Sequence, residues 1–434
     1  MNRIRLAAFS FCLLIVAGPL FQSCLRDRCN MEFTYMQYTP IYMTPQEFER
    51  AVEVQAPQSL QHPGKLFTLD NFLLINEIGK GIHIFDNKNP RNPVALSFLN
   101  VPGNYDIAYE CNFLYLDSST DLLVFDMTTP ETPVLVNRLS NVFPHAIEFN
   151  GFVADPNKGV VVSWEREMIT QQVNCDEEIP TIWAMNEVDP ATVDDNFNNA
   201  RTVAPSATGQ AGSMSRFATL KDHLYVVTPQ ELKSFDLSNC SAPTAVGETN
   251  VDFFGNQAEM VSTLDDMLLV GTNRGMFILN TDVPSDPFIL GQFEHVTACD
   301  PVMAEGDYAY VTLRNGDGNQ CGDNFTNQLD IVDISNPSTP RLLNSFNMVN
   351  PHGLSIDAGL LFIADGAAGL KVFDASNPKI VGNNQIAEMG THFGYDVIAQ
   401  NGLATMIGKN GIVQYDYTNR ENIVEISNIP VESK

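Results

Sequence analysis

Eight side chains stand where apolar runs begin or end, and their types could do chemistry: Glu77, Asp106, Asp117, His145, Asp300, His352, Asp365 and Asp396. A histidine beside an aspartate can move protons at neutral pH. Such a pair would serve a hydrolase or lyase. The same groups without an acid–base role would bind a cation or a polar ligand. Nucleophilic catalysis has less to work with, because no Gly-x-Ser-x-Gly elbow is present. Gly79-Lys80-Gly81 is no phosphate loop, since the strand-like IHIF follows where a helix is required. Asn315, Asp317, Asn319, Cys321 and Asp323 put four oxygen side chains at alternate positions, as a calcium loop does. Yet Gln320 and Thr326 stand where that loop needs Gly and Glu, so a solvated hairpin tip is expected, and calcium is the one cofactor the sequence leaves open. Asp117–Asp121 reads as a polar turn. Trp164 and Trp183 could stack on a sugar, although such residues more often fill gaps between sheets.

The elements that must position these groups come from a repeat. LDIVDISNPSTP, residues 329–340, is an apolar strand ending at Asp333 in a turn closed by Pro337 and Pro340. Variants end at Asp86, Asp126, Asp236, Asn280, Asp374 and Asp416. Neighbouring copies lie 40 to 53 residues apart, except for one gap of 110 between Asp126 and Asp236. Each copy holds four short strands with no helical period between them. That is the pattern of propeller blades, which bury both faces of each sheet only when packed in a ring. HAIEFNGFVADPNKGVVVSWE, in the long gap, has room to be a further copy with its third strand near TIWAM. The expectation is an all-β propeller of four-stranded antiparallel blades over 59–430, with eight blades and seven as the alternative.

Blade geometry sorts the candidates. The segment leading into each first strand and the end of each second strand share one face, the mouth of the channel. Asp106, His145, Arg216, Gln257, Asp300, His352 and Asp396 lead into first strands; Glu77, Asp117 and Asp365 close second strands. Long insertions near 165–180 and 314–328 add to that face. The Asp-Asn-Pro turns lie on the opposite face and are structural, Asp holding the turn and Pro blocking edge pairing.

Residues 24–58 form a tether and lead-in. Glu32–Tyr38 alternates as a strand, and Thr44-Pro45-Gln46-Glu47 has the form of a capping box before a short helix over 45–53. Residues 1–23 read as an export signal, with Arg3 and Arg5 ahead of the apolar run Leu6–Leu20. Ser23 before Cys24 resembles a bacterial lipoprotein signal, in which the cysteine is lipidated, although Phe21 takes the place usually held by Leu. Without the signal, 22 basic residues face 52 acidic ones, a net charge of −30. This disfavours nucleic acid and anionic lipid as partners.

Six cysteines then remain besides Cys24. An even number in an exported chain favours disulfides. Cys299 and Cys321 fall on one face of one copy and make the expected pair; Cys29, Cys111, Cys175 and Cys240 leave three pairings open.

LDIVDISNP and LKVFDASNP resemble the LVIVD-repeat proteins of bacterial surfaces, and INEIGKGIHIFDN is similar to the opening unit of their lipoprotein members. The resemblance implies a β-propeller at the cell envelope, in the outer membrane or at the cell surface, and implies no catalytic residue. The expected function is non-catalytic binding or scaffolding of an envelope protein, glycan or small ligand. The alternative is a polysaccharide hydrolase or lyase using the His/Asp mouth. A purely structural role in a multiprotein surface complex is a third.

Overall fold

A computed structural model describes residues 30–144, 148–149, 151–174, 179–181, 204–207, 209–251, 258–272, 274–294, 301–314 and 327–432. Its body is a seven-bladed β-propeller of four-stranded antiparallel sheets. Blade 1 comprises Pro63–Leu69, Phe72–Glu77, Gly81–Asp86 and Val94–Asn100, in order from channel to rim. Blades 2 to 7 occupy 107–139, 217–250, 258–294, 302–347, 354–389 and 394–430 in the same order. Every blade carries a β-bulge at the same place between its third and outer strands, for example at Ile84/Phe85 and Ile331/Val332. A bulge adds local twist, so the seven outer edges turn away alike.

Apolar residues in these strands face the neighbouring blades. Leu122 and Val124 of blade 2 pack on Phe217, Leu224 and Val226 of blade 3. Val261 and Leu268 of blade 4 pack on Tyr225 and Val227 of blade 3. The Asp turns staple the ring. In all seven blades the turn Asp, or Asn280, accepts from the N–H two residues on, at 2.7–3.1 Å. Asp333 is held down to about 2 by the Ser335 hydroxyl and Arg341. The next blade's turn docks on the blade before it. Tyr115 donates to the Cys240 carbonyl at 2.8 Å and Tyr225 to that of Pro284 at 3.0 Å. Gly247 and Gly291 allow the approach: a Cβ there would sit 1.8 Å from the Ser285 oxygen and 2.1 Å from that of Pro337.

Cys111 is disulfide-bonded to Cys240, joining blade 2 to blade 3. This is one of the pairings the sequence left open. Cys299 and Cys321 lie outside the described residues.

Blade 7 is built wholly from 394–430, so no strand is exchanged to close the ring. Closure rests on side chains and one bridge. Ile398, Ile407 and Ile412 join the blade 1 core, Gln414 donates to Asn87 at 3.1 Å, and Leu60 pairs with Val431.

The expected eighth blade is absent from its place, because blades 2 and 3 are in direct contact. The chain between them forms strands, but they find other partners. Val160–Asn174 pairs antiparallel with the leading strand Asn30–Met43 to make a long two-stranded ribbon. Ala204–Ala207 and Gly209–Ser215 form a hairpin whose Gln210 and Ala211 pair with Thr68 and Phe67, the innermost strand of blade 1. Its backbone lies within 8 Å, Cα to Cα, of the innermost strands of all the other blades. The channel is therefore occupied by the chain itself.

Between ribbon and disc, Pro45–Arg50 forms a helix with the expected capping box, shorter than the 45–53 expected. It buries Phe48 under Arg138. Glu53–Gln55 then adds a fifth strand to the rim of blade 1. No helix among the described residues is long and apolar enough to cross a membrane.

Candidate functional site

The channel mouth is built around one recurring device. The segment that turns into an innermost strand presents two successive N–H groups with no ladder partner, and buried N–H groups require acceptors. A carboxylate near the end of the second strand supplies them. Glu77 accepts from Gln61 at 3.1 Å and His62 at 2.9 Å. Asp117 accepts from Tyr105 at 2.8 Å and Asp106 at 2.7 Å. Asp365 accepts from Val349 at 3.1 Å and Asn350 at 2.7 Å. All three are buried, and each holds a cation or histidine: Lys80 and His83 on Glu77, Arg216 on Asp117, Lys371 on Asp365. Burial opposes ionisation of Glu77, yet His83, the two N–H groups and Lys80 outweigh it and bring its pKa down to about 2.

Asp106 lies at the centre of the strongest cluster. It accepts from Lys65 Nζ at 2.6 Å, from Ser215 Oγ at 3.0 Å and from Arg216 Nε at 3.3 Å. Arg216 Nη2 continues to Asp117 at 2.8 Å. Asn104 bonds the Asp117 carboxylate at 2.9 Å and is itself bonded by Asn76 at 2.7 Å. Burial pulls Lys65 down to about 8, with Asp106 opposing, and pushes Asp117 up against the pull of Arg216. Lys65 comes from blade 1, the aspartates from blade 2, Ser215 from the channel hairpin and Arg216 from the start of blade 3. The cluster thus ties three blades to the channel occupant. Lys65 and Lys371 are additions to the sequence-based candidates. Their signal was a lysine inside an apolar strand, at KLFTL and LKVFD, which needs a buried anion.

Across the mouth, His352 is 5% exposed, with Phe393 and Tyr395 edge-on to its ring at 5.8 and 5.5 Å. Its backbone is used in the ring: the N–H donates to Ala364 and the carbonyl accepts from Thr312. Burial, with the positive charge of Arg314, holds its pKa well below the usual histidine range. Asp396 is buried beside Gly353, so close that a Cβ on the glycine would overlap the carboxylate, and it accepts from the N–H of Val397 at 2.9 Å. The structure thus gathers Asp106 and Asp117 on one side and His352, Asp365 and Asp396 on blades 6 and 7; Glu77 stands on blade 1. His145, Asp300, Gln257, Trp183 and the loop 315–323 lie outside the described residues. Trp164 stacks on Phe149 at 5.9 Å, inside an aromatic group with Tyr38 and Phe152 that joins the ribbon to the hairpin Glu148–Phe149/Phe152–Val153. No group of three or more His, Cys, Asp or Glu side chains among the described residues is placed to hold a metal ion.

A ring of seven four-stranded sheets with its channel filled and its mouth carboxylates engaged in backbone bonds and ion pairs defines a closed, rigid propeller. The chain carries LVIVD repeats within this propeller: the LVIVD repeat model matches residues 323–348 and 352–380, the blade 5 and blade 6 copies. Among solved structures, a protein from Lactobacillus plantarum matches with a TM-score of 0.51 at 9% identity, covering 86% of this chain and 97% of that one. The computationally designed Ika8 protein matches with a TM-score of 0.49 at 8% identity over 88% and 92% of the two chains. The first likeness speaks to the fold alone. No curated protein matches the sequence significantly.

Proposed function

We propose that this is a cell-envelope lipoprotein, acylated on Cys24, whose propeller acts as a non-catalytic binding or scaffolding disc for an envelope protein, a glycan or a small ligand. The observation that carries the reading is the state of the mouth. Glu77, Asp117 and Asp365 each spend their oxygens on backbone N–H groups and a basic side chain, and His352 is buried and kept neutral. An acid–base pair needs a group that can reach substrate and change charge near the working pH. A disc whose polar groups serve its own rigidity suits binding by surface loops. The Cys111–Cys240 disulfide fits an oxidising compartment, and so an exported chain.

Two measurements test this. Cells fed a clickable fatty acid should label the wild-type chain and leave Cys24→Ser unlabelled; equal labelling refutes the anchor. The purified propeller, mixed with envelope polysaccharides, should release no new reducing ends or unsaturated products. Turnover that is lost in His352→Ala refutes the non-catalytic reading in favour of the hydrolase or lyase.

A further inference from the structure

The ribbon has a geometry that bears on how the disc meets a lipid surface. It starts at Asn30 and pairs without interruption to Ile41, with one register shift before Tyr42. Fourteen residues at about 3.3 Å each make it about 45 Å long. Isolated two-stranded ribbons are marginal in water, but this one has a core of its own. Phe33, Tyr35 and Val173 are buried together with Ile169 and Ile179 beside them, and none of the described blade residues belongs to that cluster. Thr34 and Thr170 bond across the strands at 3.0 Å. Its described contacts with the blades are at the opposite end. There Ser163, paired with Ile41, meets Tyr105 and the Gly79 turn on the mouth face of blades 1 and 2.

We infer that the ribbon is a stalk that stands the propeller off the bilayer with its channel mouth toward the lipid and its seven Asp turns facing away. This rests on the lipid anchor at Cys24 proposed above. Cys24 precedes Asn30 by six residues, a reach of about 20 Å at most, so the Asn30 end of the ribbon must lie near the headgroups. The root lies on the mouth face, which fixes which side of the disc looks down the stalk. Charge agrees. Arg26 and Arg28 sit within four residues of the anchor, where cations favour an anionic surface, while the mature chain as a whole carries −30. A stand-off of about 45 Å is several times the screening length of about 8 Å at physiological salt, so the acidic disc escapes repulsion by anionic lipid.

The test separates the stalk from the anchor. The mature chain, with a hexahistidine tag in place of the lipid, is bound to vesicles containing nickel-chelating lipid and a headgroup energy acceptor. A donor fluorophore is introduced by amber suppression at Asn410, in the mouth-face turn of blade 7, or at Thr339, in an Asp turn of blade 5; both sites are exposed. Six-residue strands make the disc about 20 Å deep, so transfer from Asn410 should exceed transfer from Thr339 by about twofold. Equal transfer, or more from Thr339, overturns the stalk orientation whatever the state of Cys24. Failure of fatty-acid labelling at Cys24 overturns the anchor and leaves the tethered-geometry result readable.

Discussion

Replacing Asp106 by Asn tests whether the Lys65–Asp106–Arg216–Asp117 cluster is what locks blades 1, 2 and 3 to the channel hairpin. Asn keeps the shape of the carboxylate and one acceptor, so Ser215 keeps its bond, but the counter-ion of Lys65 is gone. Lys65 is 3% exposed and its ammonium lies 2.6 Å from the carboxylate. An uncompensated buried charge of this kind costs about 3–5 kcal/mol. Urea unfolding followed by far-UV circular dichroism, which reads the blade strands directly, should show a loss in that range. The second arm is Lys65→Met in the Asp106→Asn background. Removing the stranded cation should restore most of the loss, since a buried pair exchanged for neutral groups of similar volume is often tolerated. The pH dependence gives an independent check. A lysine whose folded pKa is lowered from 10.5 to about 8 binds its proton more weakly in the folded state. Its destabilising contribution is complete below pH 8 and is relieved as pH rises from 8 toward 10.5. Between pH 8 and 9.5 this amounts to roughly 2 kcal/mol at 1.36 kcal/mol per unit. The wild type should therefore gain stability relative to Lys65→Met across that window. If Asp106→Asn costs under about 1 kcal/mol, or if Lys65→Met fails to rescue it, the cluster is not the lock inferred from its geometry.

Three further outcomes follow from the same contacts. Glu77, with a folded pKa lowered from 4.5 to about 2, contributes stability that is complete above pH 4.5 and lost as pH falls through 2; Glu77→Gln should flatten acid unfolding in that window by up to about 3 kcal/mol. Reducing Cys111–Cys240, or changing both to Ser, opens a crosslink spanning 129 residues, and chain entropy sets an upper bound of about 5 kcal/mol on the loss, readable by denaturation with and without reductant. Gly247→Ala should destabilise by about 1–3 kcal/mol because its Cβ meets the backbone oxygen of Ser285 in the next blade; a change under about 0.5 kcal/mol in a melt would mean that the turns do not clamp the ring.

Where chemistry is local, it was legible in the chain alone. The Asp turns could be placed to the residue, because an aspartate bonding the N–H two positions on needs nothing from elsewhere in the fold. All seven turns obey it, from Asp86 to Asp416. The capping box at Thr44 and Glu47 is equally local. Strand order is local as well: among the described candidates, Glu77 and Asp117 close second strands and Asp106 leads into a first strand.

Pairing partners belong to the tertiary structure. The stretch HAIEFNGFVADPNKGVVVSWE has the composition of a blade, and strands do form in it at Glu148–Phe149, Phe152–Val153 and Val160–Asn174. What composition could not show is that Asn30–Met43, more than a hundred residues earlier, is the longer and better partner. The direct fit of blade 2 on blade 3 then leaves no gap for another sheet. The sequence also put Asp106, Asp117 and Asp365 at the mouth but could not tell an open carboxylate from a buried one. That difference rests on two N–H groups from the segment leading into the blade and on one cation, which Lys65 and Arg216 bring from neighbouring blades and Lys371 from the adjacent strand. Local patterns determine which segments are strands and turns; the company that Asp106 and Asp117 keep is decided only when neighbouring blades meet.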